Sequence, residues 1–447
     1  MPAHLAAAGG FVRLSRPLGS WVGTTVVLAA SVVLLGSTSP AVAADGDDCT
    51  TINQVDAGDN DVTVFAADGS PAQSLRLAEA QRRVRESTGR SPGDGVTVAV
   101  LDSGVRAQAA LRVEPGSPVD GARSTREPVW HQGTLLAGVI AAAPDPDTGL
   151  PVGVAPGATI VDQRIYDTAL PTDDALLAPG PESVAAGLEA IAPRVGPGDI
   201  SIVVVAVASP PSARLEAAVE RVTRRGAIVV AASPPRPDSD SGAPGATYRD
   251  GEDFADLSWP AGYSRTNARV VTATTTAASP SDDGLDPADF ILFSSAIDVA
   301  VPTAGAVSLG LNGRYCSIVT PSPAVAAAEV AGILALLQTA FPGDRPQDLI
   351  ARLETTASGA SSGDPALPDT REGRGVAQPL EALTRPLLIR GQDVGRASEA
   401  GSEPAVLPVA DPDVLASTRD RAVWWGLLGG GALVVLLIVR PVLARRH

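Results

Sequence analysis

Lysine is absent from this 447-residue chain, so all 34 basic residues are arginine and no lysine can act as a base or a nucleophile. Histidine occurs only as His4, His131 and His447, and cysteine occurs only twice. Aromatic residues make up 3% of the chain against 45% hydrophobic residues, so a core must consist of Ala, Val, Leu and Ile. The formal net charge of −16 argues against a nucleic-acid partner.

The N-terminal residues have the pattern of an export signal. Arg13 and Arg16 precede the apolar stretch Trp21–Leu35, and the small residues of Ala41–Ala44 follow it. This order is typical of a signal peptide that is cleaved after the small residues. We therefore predict a signal peptide over 1–44, with an uncleaved signal anchor as the alternative.

The C-terminal residues have the pattern of a membrane span. The stretch Ala422–Val439 is apolar, begins close to Trp424 and Trp425, and is followed by an arginine-rich tail. At about 1.5 Å per residue, such a helix just crosses a ~30 Å hydrocarbon core. We predict a transmembrane helix over 421–440 and a cytoplasmic tail over 441–447, because positive residues stay inside. The rest of the chain is then anchored in the cell membrane by a single span and lies on its extracytoplasmic side.

Export bears on the two cysteines, Cys49 and Cys316. In an oxidising compartment they are expected to form one disulfide, which would tie the mature N-terminus to the domain. Two unpaired cysteines remain the alternative, since spacing cannot prove contact.

The middle of the chain reads as an α/β domain with a mostly parallel sheet. The apolar, β-branched run Val96–Val105 predicts a buried strand, and it ends in Asp102-Ser103-Gly104. Acidic residues at the carboxyl ends of such strands lie where open α/β sheets form their binding and active sites. A lone aspartate at such a place more often only caps a turn. Further strands and helices are predicted to alternate along the chain. The strands are Thr159–Ile165, Ile200–Ala206, Ala227–Ala232, Arg269–Thr274 and Ile297–Val301, and the helices are Leu75–Val84, His131–Ala142, Ser183–Ile191, Ser212–Arg225 and Ser322–Phe341.

Four segments in this order resemble the subtilisin-like serine peptidases. They are Asp102-Ser103-Gly104 for the aspartate motif, Gly133–Gly138 for the end of the histidine motif, Ala227–Ala232 for the strand before the oxyanion asparagine, and Val330-Ala331-Gly332 for the end of the nucleophile helix. The resemblance implies the three-layer subtilisin-like fold, and we expect no cofactor and no metal. The layout resembles more specifically the mycosins, membrane-anchored subtilases of actinobacterial type VII secretion. A mycosin-like chain would have an N-terminal extension over 45–90, a peptidase S8 domain over 91–385 and a Pro/Gly/acidic linker over 386–420.

The catalytic residues do not follow this resemblance. A serine peptidase needs a nucleophile, a base, a carboxylate that orients the base and donors for the oxyanion. Aligning the motifs leaves Asp102 in place but puts Gln132 at the histidine, Ala324 at the nucleophile and Pro235 at the oxyanion asparagine. Gln132 cannot titrate, so it cannot act as a base. We therefore predict a pseudo-peptidase with a structural or binding role.

An active peptidase remains the alternative. A local insertion would bring His131 into register, and a two-residue slip would make Ser322 the nucleophile of an endopeptidase that processes exported proteins. This reading needs two register changes, and Ser322 is better explained as a helix N-cap before Pro323. The partners implied by the resemblance are subunits of the type VII secretion membrane complex. A third function, compatible with the pseudo-peptidase, is a module that binds a polypeptide in the degenerate cleft without cutting it.

Overall fold

The computed structural model describes residues 48–51, 70–124, 127–170, 175–237, 252–276, 286, 289–359, 369–386 and 424–434. The predicted signal peptide (1–44), the arginine tail (441–447) and nearly all of the predicted linker (386–420) lie outside these ranges.

Helices and strands alternate through the described residues. The helices are α1 (Pro71–Ser74), α2 (Leu77–Thr88), α3 (Gln132–Ala141), α4 (Pro181–Ile191), α5 (Ala213–Arg224), α6 (Pro323–Ala340), α7 (Pro346–Thr356) and α8 (Pro379–Thr384). The strands are β1 (Thr97–Asp102), β2 (Val113–Pro115), β3 (Thr159–Arg164), β4 (Ile200–Val205), β5 (Ile228–Ala232), β6 (Val270–Thr276), β7 (Val299–Pro302), β8 (Val307–Leu309), β9 (Tyr315–Ser317), β10 (Ser358–Gly359) and β11 (Gly375–Val376).

The main sheet has the order β10-β11-β7-β6-β5-β4-β1-β3-β2 and is parallel except for the pair β10–β11. Successive residues of β1 face opposite sides of this sheet, with Val98 and Val100 in one apolar core and Ala99 and Leu101 in the other. A strand that is buried on both faces needs a continuous apolar run, which is what the sequence supplies.

The two cores lie between the sheet and its helices. One contains residues of α2, α3 and α6, such as Leu136 and Leu334, and the other contains residues of α4 and α5, such as Leu188 and Leu215. Helices therefore cover both faces of the sheet, and the predicted three-layer α/β fold is confirmed.

Some local predictions differ from the structure. The residues between β1 and α3, for which the sequence predicted no strand, include the short edge strand β2, in which Val113 is half-buried and Glu114 and Pro115 are exposed. The helix predicted over Ser183–Ile191 begins two residues earlier, so Ser183 lies inside α4, where its Oγ accepts a hydrogen bond from Gly180 N over 3.2 Å. Pro181 starts that helix earlier because its fixed φ suits the first helical turn.

The two cysteines form a disulfide, as predicted: Cys49 and Cys316 are bonded, and their Cα atoms are 5.0 Å apart. Cys49 is fully buried, and neighbouring Asp48 pairs with Ser317 at the end of β9. The predicted N-terminal extension (45–90) is therefore attached to the domain through Asp48 and Cys49.

Two apolar helices bear on the predicted membrane span. Among the described residues, α6 is the one helix with the length and hydropathy to cross a membrane, but 83% of it is buried, so it is the core helix of the domain. Within the predicted span, residues Trp424–Val434 form an apolar helix whose side chains are exposed. The rest of that span lies outside the described residues.

Candidate functional site

The site begins at the carboxyl end of β1. Asp102 is the last residue of this strand and is fully buried. Gly104 has φ of +103°, a left-handed conformation that glycine adopts without strain, and it turns the chain out of the sheet. Asp102 therefore lies at the carboxyl ends of the central parallel strands, where open α/β sheets form a crevice.

The start of α3 is fixed against this turn. A Cβ on Gly133 would lie 2.4 Å from Gly104 O, so only glycine allows the helix to approach the turn so closely. Gly133 N donates to Ser103 Oγ over 3.1 Å, and Arg106 N donates to Thr134 Oγ1 over 2.9 Å. These contacts explain the Gly133-Thr134 motif and place the residue before it, Gln132, directly over Asp102.

Three groups donate hydrogen bonds to the Asp102 carboxyl. Gln132 Nε2 lies 3.1 Å from Oδ2, while the Tyr166 hydroxyl and the Ser103 backbone N lie 2.8 and 2.7 Å from Oδ1. The sequence analysis missed Tyr166. It follows β3, which pairs with β1, so strand order would have been the signal that places Tyr166 beside Asp102.

The electrostatics around Asp102 are those of a buried acid without a cation bonded to it. Burial raises the pKa of Asp102, and its three donors act against that rise. Burial also raises the pKa of nearby Asp162 to about 6, and raises that of Tyr166 well above its usual value. The carboxyl is thus held by neutral donors rather than by an imidazolium.

His131 occupies the N-cap position of α3 and makes no side-chain cap there. Its side chain is 7% exposed, and its ring lies 4.8 Å from the ring of Trp130, centroid to centroid. Burial lowers the pKa of His131 to about 4, while the charge of Asp48 acts in the opposite direction. His131 is therefore a neutral, buried ring at ordinary pH.

The start of α6 carries the two candidate nucleophile positions. Ser322 is its N-cap, since Ser322 Oγ accepts a bond from Val325 N over 3.4 Å. The Ser322 backbone N donates to Thr303 Oγ1 over 3.0 Å. Ala324 is the second residue of the helix and offers only a methyl group. Further along, a Cβ on Gly332 would meet the Val154 side chain at 2.6 Å, which explains the small residues of this motif.

Pro235 follows β5 and pairs with Ile291 as an isolated antiparallel bridge. Its neighbour Arg236 donates its backbone N to Phe290 O over 2.8 Å. Proline has no side-chain donor, so this position offers nothing to a developing oxyanion.

One cleft of about 240 Å³ brings most of these positions together. Its lining includes His131, Gln132, Pro235, Ser322 and Ala324. Asp102 lies beneath it, bonded to Gln132. Within the described ranges, no group of three His, Cys, Asp or Glu residues is placed to hold a metal ion.

The remaining lining of the cleft is mainly apolar, from Leu135, Leu136, Ile318 and Val325. Thr50, next to the disulfide-bonded Cys49, adds a hydroxyl from the N-terminal arm. The cleft offers an apolar surface interrupted by polar side chains. Its polar groups comprise amide, hydroxyl and guanidinium donors around a buried carboxyl and a neutral histidine.

Comparisons with known proteins agree with this fold. The subtilase family matches residues 93–375. Mycosin-1 of Mycobacterium tuberculosis is 30% identical over 326 residues, covering 65% of this chain and 69% of that protein. The structure of a serine protease MycP1, an essential component of the type VII (ESX-1) secretion system, has a TM-score of 0.53 at 26% identity, covering 72% of this chain and 91% of that one. A chain of an intact ESX-5 inner membrane complex has a TM-score of 0.54 at 22% identity, covering 84% and 91%.

Proposed function

This chain belongs to the subtilase family, and we propose that it is a mycosin-like pseudo-peptidase, a structural or binding component of a type VII secretion system. The observation that carries the proposal is the Gln132 amide bonded to Asp102, 3.1 Å away. In a serine peptidase this carboxylate orients an imidazole, which takes the nucleophile's proton. An amide has no nitrogen that can take a proton in this way.

Two further positions support the loss of catalysis. Ala324 offers a methyl group where the family has its serine, and Pro235 offers no donor where the family has its oxyanion asparagine. Removing one member of a catalytic triad still leaves about 10³–10⁴-fold catalysis over water, from the oxyanion hole and substrate binding. Here the base, the nucleophile and the oxyanion side chain are replaced together, so even this residual rate is expected to be diminished.

The test is labelling of the purified full chain by a fluorophosphonate probe, alongside hydrolysis of peptide substrates. We expect no labelling and no hydrolysis, while an active subtilisin treated in parallel reacts with both. Labelling at Ser322 that disappears in His131→Ala would overturn the proposal. Ser322→Ala is the matched control, since it removes the candidate nucleophile and keeps the histidine.

The alternative function is an active endopeptidase that uses His131 and Ser322. In its favour, both residues line the same cleft. Against it, the Ser322 hydroxyl accepts the Val325 N–H as a helix cap, and the three donors to Asp102 are Gln132, Tyr166 and Ser103. The Asp102 carboxyl is thus held by groups other than His131, and the Ser322 hydroxyl is engaged as a helix cap, which is not the arrangement of a serine-peptidase triad.

The proposed partners are membrane subunits of the secretion complex. The similarity to mycosins and to a chain of an ESX-5 inner membrane complex supports this assignment. Deleting the gene is expected to abolish secretion through the system. Expressing the His131→Ala/Ser322→Ala double variant in the deletion strain is expected to restore secretion. Normal secretion after deletion would contradict a scaffold role. If the wild-type gene restored secretion and the double variant did not, the result would favour the peptidase.

The proposed topology places the domain (91–385) outside the cytoplasmic membrane. It would follow the signal peptide and the extension (45–90), and would be joined through the linker (386–420) to the span (421–440). The exposed apolar helix Trp424–Val434 supports a span at this place. Protease added to cells stripped of their wall is expected to remove the domain and leave the arginine tail protected. Protection of the whole domain would contradict this topology.

A further inference from the structure

A second cavity contains a buried acid that the cleft does not use. Glu329 lies in the second turn of α6 and is 3% exposed. Its Oε2 has no hydrogen-bond partner among the described residues. Burial raises the pKa of Glu329 well above its usual value, and no neighbouring charge offsets this. An unpaired acid inside a core helix costs stability, so it calls for an explanation.

The cavity that Glu329 faces is small and has apolar walls. Its volume is about 40 Å³, and its lining includes Leu75, Leu77, Val139 and Val154. Glu329 is the one titratable residue of the lining. The cavity therefore combines a single carboxyl with walls that hold water poorly.

We propose that this cavity binds a guanidinium or short alkylammonium group, with Glu329 as its counter-ion. A guanidinium presents parallel N–H donors that match the two oxygens of a carboxylate, and it is less strongly hydrated than other cations. The apolar walls suit the aliphatic carbons that precede such a group in an arginine side chain.

The choice of a cation follows from what the cavity lacks. The lining contains no basic residue that could pair with the carboxyl. A cation supplies that missing partner, whereas a second acid would repel Glu329 once either group is ionised. Because two charges must leave water, the affinity is expected to be modest and to depend strongly on the geometry of the pair.

Titration of methylguanidinium into the purified full chain tests the proposal. We expect saturable binding, accompanied by the release of about one proton, because a cation favours the ionised form of an acid that is otherwise protonated. Calorimetry in phosphate and in Tris at one pH measures that proton from the difference in heat. Glu329→Gln should lower the affinity at least tenfold and remove the proton release.

Two matched variants keep the test decisive. Glu329→Gln preserves the shape of the acid, and thermal unfolding checks that it folds. Ala72→Leu fills the cavity from a half-buried position of α1 while leaving Glu329 in place, and it should also abolish binding. Equal affinity of the wild type and Glu329→Gln would overturn the proposal, as would the absence of binding at millimolar methylguanidinium.

A second arm distinguishes the source of the group. The peptide acetyl-Ala-Arg-Ala-amide is compared with acetyl-Ala-Ala-Ala-amide. Binding of the arginine peptide that depends on Glu329 assigns the cavity to an arginine of a partner. Binding of methylguanidinium but of neither peptide assigns it to a small free cation.

Discussion

Gln132 Nε2 lies 3.1 Å from Asp102 Oδ2 and donates a hydrogen bond to it. The contact joins the end of β1 to the start of α3, where a serine peptidase has an aspartate and a histidine. An amide preserves the hydrogen bond that connects the two elements but cannot titrate. The two elements are thus connected by a hydrogen bond whose donor cannot act as a base.

Replacing Asp102 by asparagine tests this relationship. Burial raises the pKa of Asp102, so between its unfolded value and its folded value the folded state holds the proton more tightly. Stability contributed by this group is therefore present at low pH and lost as pH rises through that window. Asp102→Asn should change the melting temperature little at low pH, since Gln132 can turn its amide oxygen toward the new amide. At higher pH the melting temperature of the variant should fall less than that of the wild type, since asparagine cannot ionise. Melting curves from pH 4 to pH 8 measure this, with the exposed Asp147→Asn as control. A large loss at every pH would show that the charge itself is required.

Two substitutions of Gln132 should lower the stability of the domain with different pH dependence. Gln132→Met keeps the size of the side chain but removes one donor from a buried acceptor, which costs about 1–3 kcal/mol. Gln132→Glu places a second carboxyl beside Asp102, so its effect should grow as pH rises and both groups ionise. Chemical denaturation at pH 5 and pH 8 separates the two variants. Equal losses for Gln132→Glu at both pH values would argue that the two side chains do not interact.

The sequence predicted the parts of this site that depend on local backbone. Gly133 must be glycine because of its approach to Gly104 O, so the motif fixes the register that brings Gln132 to Asp102. Tyr166 was not predicted, because its contact with Asp102 depends on which strand lies beside β1. Glu329 was missed for a similar reason. It is a single charge in a small-residue helix, and only the packing of α1 and the 151–154 loop shows that it faces a cavity.

The neutral state of His131 predicts sensitivity to acid. The pKa of His131 is about 4 in the folded protein against 6.5 in an unfolded chain. The unfolded state therefore binds the proton first, and stability is full above pH 6.5 and falls as pH drops toward 4. This difference between the two pKa values corresponds to about 3 kcal/mol in the free energy of unfolding. His131→Asn should remove this part of the decline, measured as the difference between the two unfolding free energies at pH 7 and pH 4.5. An unchanged difference would mean that the ring is solvated and titrates normally.

The disulfide should stabilise the domain and hold the wall of the cleft in place. It links residues separated by 267 positions, so its removal frees a long loop in the unfolded chain, and a loss of roughly 2–5 kcal/mol is expected.

The bond also has a local effect, because Thr50 lines the cleft and Asp48 pairs with Ser317 next to the bonded Cys316. Cys49→Ser/Cys316→Ser should therefore increase hydrogen exchange at residues 48–51 even where the core stays protected. Wild-type protein treated with reductant is the matched control and should show the same exchange. Rapid exchange at residues 48–51 in the oxidised wild type would show that the bond does not hold this segment against the cleft.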